Sequence, residues 1–196
     1  MTASPLYVLL EGPDDERFFS RIVRPLFAER GYEVRIWKYA CEKRQLTINL
    51  LHAVRKGGHA YIFVRDLDRT PYARLRVQET LDRFGHAMDA GMVVIVVPEI
   101  EGWYLAGVSE GAAAGLGIRA PLGRTDRITK EAFNTLIPRG TSRIEFMQAI
   151  LEGYDTALAR KKNRSFRYFM DWFVGGERLT PEGDESPYFS DCRGIG

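Results

Sequence analysis

The chain is poor in cysteine: two in 196 residues, Cys41 and Cys192, far apart and in no CxxC or Cys/His arrangement. That spacing excludes a disulfide framework and a zinc finger, and it fits a reducing, cytoplasmic setting. Histidine is scarce as well. His52, His59 and His86 fall in no HxxxH or HExxH spacing, so surface or packing roles are expected rather than zinc ligation. No apolar run approaches the ~20 residues of a membrane span, and the opening MTASPLY has no basic, long-apolar, small-residue signal layout. Neither secretion nor membrane insertion is expected. The formal net charge of +2 is too small to name a partner, and no internal repeat is present.

What the chain does have is three apolar runs that each end in carboxylates: LYVLLEGPDDE at 6–16, YIFVRDLDR at 61–69 and VVIVVPEIE at 93–101. Continuous Val, Ile and Leu without polar alternation reads as strand buried on both faces, the pattern of a parallel sheet covered by helices. Ligands of such sheets bind just beyond the carboxyl ends of the strands. Carboxylates delivered there from three distant segments repel one another unless a cation neutralises them, which points to a divalent-metal site.

A strand at 6–10 leads into a helix from Pro13 to about Arg30, with Asp14 and Asp15 in its first turn, Phe18, Phe19, Ile22, Val23, Leu26 and Phe27 at helical spacing, and Gly31 as its stop. A second, more alternating strand at 32–38 suits an edge. A helix over 43–55 carries the stripe Leu46, Leu50, Val54, and a strand at 60–65 delivers Asp66 and Asp68. A helix from Pro71 to about Met88 then precedes a strand at 92–97. This β-α-β-α-β-α-β order predicts an α/β, Rossmann-like fold: a four-stranded, mainly parallel sheet with right-handed crossovers and helices on both sides.

Beyond the sheet, 99–106 reads as a short helix, 107–127 as a Gly-rich connection, and 130–137, 141–160 and 165–174 as helices. The expected organisation is a catalytic core over 1–107, a helical extension packed on it over 108–176, and an acidic Pro/Gly-containing tail over 177–196. Residues 119–167 carry eleven Lys or Arg against five Asp or Glu. Such a stretch can face a polyanion, although solvated helix faces are its ordinary origin.

Each acidic cluster has an ordinary reading beside the chemical one. Asp14 or Asp15 can cap the first helix, but capping leaves Glu11 unexplained. In Asp66-Leu67-Asp68, alternate residues of an extended backbone point to one side, so both carboxylates can face one cation. Taken alone, an Asp ahead of the Pro71 helix is equally a cap or turn residue. Either Glu99 or Glu101 can complete the site while the other caps the short helix; Glu101 is preferred, and the choice stays open.

Glu11-Gly12 and Asp15 after the first strand, Asp66-x-Asp68 after the third, and PEIEGWYLAG after the fourth together resemble a Toprim domain, of the compact stand-alone bacterial kind related to the nuclease domain of OLD-family proteins. The likeness covers about residues 5–107. It implies a metal-dependent nucleic-acid strand-cleavage fold using Mg²⁺ or Mn²⁺, with Glu11, Asp66 and Asp68 as the catalytic set. Glu11 would be a general acid/base or a ligand, Asp66 and Asp68 would hold Mg²⁺, and Asp15 with Glu101 or Glu99 would serve a second metal. The same resemblance implies a nucleic-acid substrate, DNA ahead of RNA, and a role in phage defence or DNA repair.

The chain departs from OLD proteins in having no GxxxxGK[ST] loop, so an ATP-driven step needs a separate ATPase partner. No Gly follows Asp68-Arg69. The topoisomerase nucleophilic tyrosine has no counterpart, aromatic packing being the better explanation for Tyr7, Tyr72 and Tyr104. Hydrolysis is therefore expected rather than a tyrosyl intermediate. Arg65, Arg69, Lys161, Lys162, Arg164 and Arg167 are candidates for neutralising phosphates.

Two alternatives stand beside this one. Asp66-x-Asp68-x-Thr70 also fits the haloacid dehalogenase-type phosphatase signature, with Asp66 as nucleophile. That signature usually follows the first strand of its domain, and it leaves Glu11 and Asp15 unused. The other alternative is a metal-stabilised module that binds nucleic acid or a protein without turnover.

Overall fold

The computed structural model describes residues 3–119, 121–176 and 179, with His86 described by its backbone alone. Apart from buried Leu179, the expected tail and with it Cys192 lie outside the described residues. Four strands form one sheet: β1 (Ser4–Leu10), β2 (Tyr32–Lys38), β3 (Ala60–Asp66) and β4 (Val93–Val96). All pairings are parallel, in the order β2-β1-β3-β4. The apolar runs dictate this placement. Every residue of β4, and Leu6, Val8, Leu9 and Leu10 of β1, is buried, as strands covered on both faces require. Alternating β2 takes an outer position among the described strands.

The first crossover runs through α1 (Pro13–Phe18), a π-helical segment (Phe19–Val23) and α2 (Arg24–Ala28), where one uninterrupted helix is the expectation from periodicity. Pro25 falls at the start of α2, and its missing N–H breaks the regular ladder there. The next two crossovers are α3 (Arg44–Lys56) and α4 (Ala73–Phe84), which touch each other. Because the chain steps from β1 outward to β2 and later from β3 outward to β4, the strand order reverses between β1 and β3. In parallel α/β sheets that reversal opens a crevice at the strands' carboxyl ends.

The second half contains α5 (Ile100–Ala106), α6 (Glu110–Gly115), α7 (Lys130–Thr135), α8 (Arg143–Glu152), α9 (Thr156–Lys162), α10 (Arg164–Phe169) and a π-helical turn (Met170–Val174). Two expectations change here. The Gly-rich connection holds α6, started by Ser109, whose side chain accepts from Ala112 N–H. The single helix expected over 141–160 is two helices, because Gly153 ends α8 and the Asp155 carboxylate caps α9 by accepting from Leu158 N–H at 2.9 Å.

The extension packs on the α1–α2 face through aromatic rings. Phe18 lies edge-on to Trp103, Tyr104, Tyr154 and Phe166, and Phe19 contacts Trp103 and Phe169. A buried polar chain fixes α5 beside β4: Trp103 Nε1 and Val97 N–H both donate to Ser165 Oγ, which donates to Asn163 Oδ1. Tyr154 completes the packing by donating its hydroxyl to Trp103 O at 2.8 Å. Gly107 leaves room for that ring. A methyl at position 107 would press into it, with Tyr154 Cζ 2.6 Å away. Gly107→Ala is accordingly expected to cost roughly 1–3 kcal/mol, read as a lower urea midpoint; an unchanged midpoint would show that the α5–Tyr154 contact is loose. No helix among the described residues is long and apolar enough to cross a membrane.

Candidate functional site

Leu9 of β1 pairs with Phe63 of β3, so Glu11, two residues on, comes up beside the Arg65–Asp66 end of β3. The strand-order reversal therefore collects the first two acidic clusters in one crevice. Asp15 lies one turn into α1, buried, and accepts a 3.0 Å hydrogen bond from Gly12 N–H. It thus does two things at once: it satisfies a donor at the helix start, and it turns its charge inward. Asp66 ends β3 with Oδ1 buried and without a hydrogen-bond partner. Glu101, in the first turn of α5, is buried at 4% exposure.

These carboxylates act on one another electrostatically. Burial pushes Asp15 up to about 7, and the charges of Glu11 and Glu101 add to the rise. Burial also drives Asp66 well above the ordinary carboxylate range, reinforced by Asp15, Glu11, Glu101 and Asp68. Glu101 is raised by burial too, against the opposing pull of Arg143. Tyr39, buried and stacked on Phe63, points its hydroxyl at Glu11 Oε2 over 3.3 Å. Burial first, and Glu11 second, hold that phenol well above its usual range, so it stays a donor.

Glu101 and Glu99 separate clearly in the structure. Glu99 turns away and accepts from Lys130 N–H at the start of α7, while Glu101 joins the acidic crevice. The Asp66/Asp68 pair behaves differently from the extended-backbone expectation. After Asp66 the strand geometry stops: Leu67 N–H donates to Val96 O, Asp68 N–H donates to Pro98 O, and Asp68 has φ 52°. That left-handed turn rotates Asp68 away from the alternation, and its carboxylate pairs with Arg76. Arg76 is itself buried and also donates to Asp66 O at 2.7 Å, so one guanidinium clamps the whole turn.

Arg143 is the second cation that local pattern does not reveal. It reaches from the first position of α8 to Asp14, at 3.0 Å, and to Glu101. Arg17 pairs with Asp14 at 2.7 Å. Burial pulls Asp14 upward, but its bonds to Arg17 and Arg143 win and hold it below the usual value. One sequence signal exists. Ser142 and Glu145 form a reciprocal capping box, which places Arg143 in the first turn, where a cation opposes the helix dipole and needs an acidic partner elsewhere.

Among the proposed phosphate ligands, Arg65 lies in β3, half-buried, and donates to Thr80 Oγ1. Arg69 sits in the loop after Asp68. It is one of the charges that depress Glu131 in the first turn of α7, behind that residue's hydrogen bonds to its own backbone and to Thr129. Lys162 donates to Val108 O at 2.8 Å, beyond the C-terminal end of α5 and so at the opposite end of that helix from Glu101. Lys161, Arg164 and Arg167 are exposed on α9 and α10. Of Lys161, Lys162 and Arg164, Lys162 alone is committed to a bond at that far end of α5. Tyr104 is buried and donates to Asp14 O, and Tyr7 is half-buried, in keeping with packing roles. Tyr72 is not: its side chain is exposed.

Among the described residues, no three His, Cys, Asp or Glu side chains are grouped so as to hold a metal ion. The donors present are all carboxylates, and one of their oxygens is buried and orphaned. Carboxylate oxygens are the donor type that Mg²⁺ or Mn²⁺ would take; Mg²⁺ in particular keeps several waters and commonly uses one or two protein carboxylates together with substrate phosphates. No protein-family model, no curated protein and no solved structure matches the chain.

Proposed function

We propose that the chain is a Toprim-type, divalent-metal-dependent nuclease that hydrolyses nucleic-acid phosphodiesters, with DNA as its foremost substrate. The observation that carries this reading is Asp66 Oδ1, buried without a partner at the strand-order reversal and facing the charges of Asp15, Glu11 and Glu101. A buried polar atom left unsatisfied is costly, and groups of this kind concentrate at functional sites. Asp66 and Asp15 would hold the ion, with Glu11 and Glu101 at its flanks. Bound there, Mg²⁺ or Mn²⁺ supplies charge to the phosphoryl oxygens and a water acidified toward neutral pH. Glu11, less buried than Asp15, is the carboxylate with access to take a proton from that water. Arg143, at the same edge of the crevice, is the cation positioned to orient a phosphate.

One observation favours the reading without turnover: Arg76 and Arg143 already neutralise Asp68 and Glu101. Incubation with supercoiled plasmid, linear DNA and RNA separates the two. Nicking that needs Mg²⁺ or Mn²⁺, stops in chelator and falls by about 100-fold or more in Glu11→Gln is the expected result. Identical products from wild type and variant would assign the cleavage to a contaminant or to another site. Saturable metal binding with no cleavage would leave the binding module.

A further inference from the structure

The loop between β3 and α4 carries an exposed aromatic ring, Tyr72, with exposed Arg69 before it and Arg74 in the first turn of α4. Tyr72 is 60% exposed and Leu75, beside it, 42%. The Arg74 guanidinium lies 5.8 Å from the centre of the Tyr72 ring. Arg69 and Arg74 are both exposed, and neither is within 4.0 Å of a carboxylate among the described residues, although the Arg69 charge acts on exposed Glu131. The backbone that carries this ring is joined to the site. Arg76 N–H donates to Tyr72 O, and the Arg76 side chain holds Asp66 and Asp68.

We propose that Tyr72, Arg69 and Arg74 form a platform for single-stranded DNA, with a base stacked on the Tyr72 ring and the flanking phosphates on the two arginines. The chemistry favours a polynucleotide over an apolar partner. An exposed ring beside exposed guanidiniums offers a stacking face and two cations at once, and every base has a π-face to match. A protein helix would need a continuous apolar stripe, whereas Tyr72 and Leu75 are followed by Arg76, which is buried and committed to Asp68. The platform also explains why Tyr72 departs from packing. Its ring stands outside the core, one helical turn from the residue that clamps the candidate metal ligands.

This inference deepens the nuclease reading and rests on it for the direction of the strand toward Asp66. Its test is separate, because binding is measured in chelator, where no cleavage occurs. Fluorescence anisotropy with a 5′-labelled oligo(dT) of about 15 nucleotides, within the site sizes of single-strand binders, compares wild type with Tyr72→Ala, Tyr72→Phe and Arg69→Gln/Arg74→Gln. Tyr72→Ala is expected to bind about tenfold more weakly and Tyr72→Phe within about twofold of wild type. The double arginine variant should lower the slope of log affinity against log salt by about 0.7 per lost contact. Wild-type affinity in Tyr72→Ala, with melting temperatures unchanged, overturns the platform. Wild type that nicks plasmid with Mg²⁺ but binds no oligo(dT) overturns it too and leaves the nuclease reading intact. Tyr72-dependent binding without any metal-dependent cleavage supports the platform and removes the nuclease reading.

Discussion

Asp66→Asn should make the metal-free protein more stable and at the same time abolish metal-dependent cleavage. The two effects have one origin. In wild type at pH 8 the Asp66 carboxyl either ionises against burial and the charges of Asp15, Glu11 and Glu101, or keeps a proton far above its ordinary range; both are costly. Asparagine has nearly the same shape and no charge, and its amide can donate to a neighbouring carboxylate. A gain of about 2 kcal/mol in chelator is expected, roughly 4–8 °C in melting temperature for a chain of this size. Added Mg²⁺ should reverse the order. A ligand at 100 times its dissociation constant stabilises the native state by about 2.7 kcal/mol, and only wild type retains the ligand set. Cleavage should fall by about 10³-fold or more. Thermal melts with chelator and with Mg²⁺, run beside a plasmid assay, check both halves. A variant that is less stable in chelator, or that cleaves normally, would remove Asp66 from the centre of the site.

Particular residues show why the sheet was legible and part of the site was not. β3 and β4 announce themselves because burial on both faces leaves no polar alternation, and that property is local. The convergence of Glu11 and Asp66 follows from the strand order, which places β3 beside β1 and is a property of the folded sheet rather than of either segment. Alternation across Asp66-Leu67-Asp68 misleads, because it assumes the strand continues. Asp tolerates the left-handed turn at 68, and only the distant Pro98 carbonyl shows that the turn is made. Glu99 and Glu101 are indistinguishable in sequence, since the choice depends on α7 approaching from 31 residues away to take up Glu99. Arg143 and Arg76 are tertiary partners of the same kind. Lys162 is conspicuous in sequence, and its ammonium is bonded to Val108 O beyond the end of α5, a tertiary partner that the basic run does not announce.

Asp15→Asn should give a stability gain that depends steeply on pH. In metal-free wild type the Asp15 carboxyl sits at about 7 in the native state against an ordinary value of 3.8. Between those two values the native state binds more protons than the unfolded chain, so this group's contribution to stability is fully present below about 4 and is lost as pH rises through 7. At about 1.4 kcal/mol per pH unit across that window, the loss approaches roughly 4 kcal/mol, part of it belonging to Glu11 and Glu101, whose charges help raise the group. Asparagine keeps an oxygen for Gly12 N–H and never ionises. The difference in unfolding free energy between variant and wild type should therefore be near zero at pH 4 and about 2–4 kcal/mol in favour of the variant at pH 8, by urea titration in chelator. Taking the difference is essential, because Asp14 runs the other way: its lowered value gives stability above its ordinary range that disappears as pH falls. A cation reverses the logic at Asp15 as well. Metal binding requires ionised carboxylates, so Mg²⁺ added at pH 6.5 should release more protons from wild type than from the variant, Asp66 giving its own share in both, and the difference between the two should fade toward pH 8.5. Titration calorimetry in buffers of different ionisation enthalpy reads that proton directly, and a release unchanged by Asp15→Asn would place the titrating ligand elsewhere.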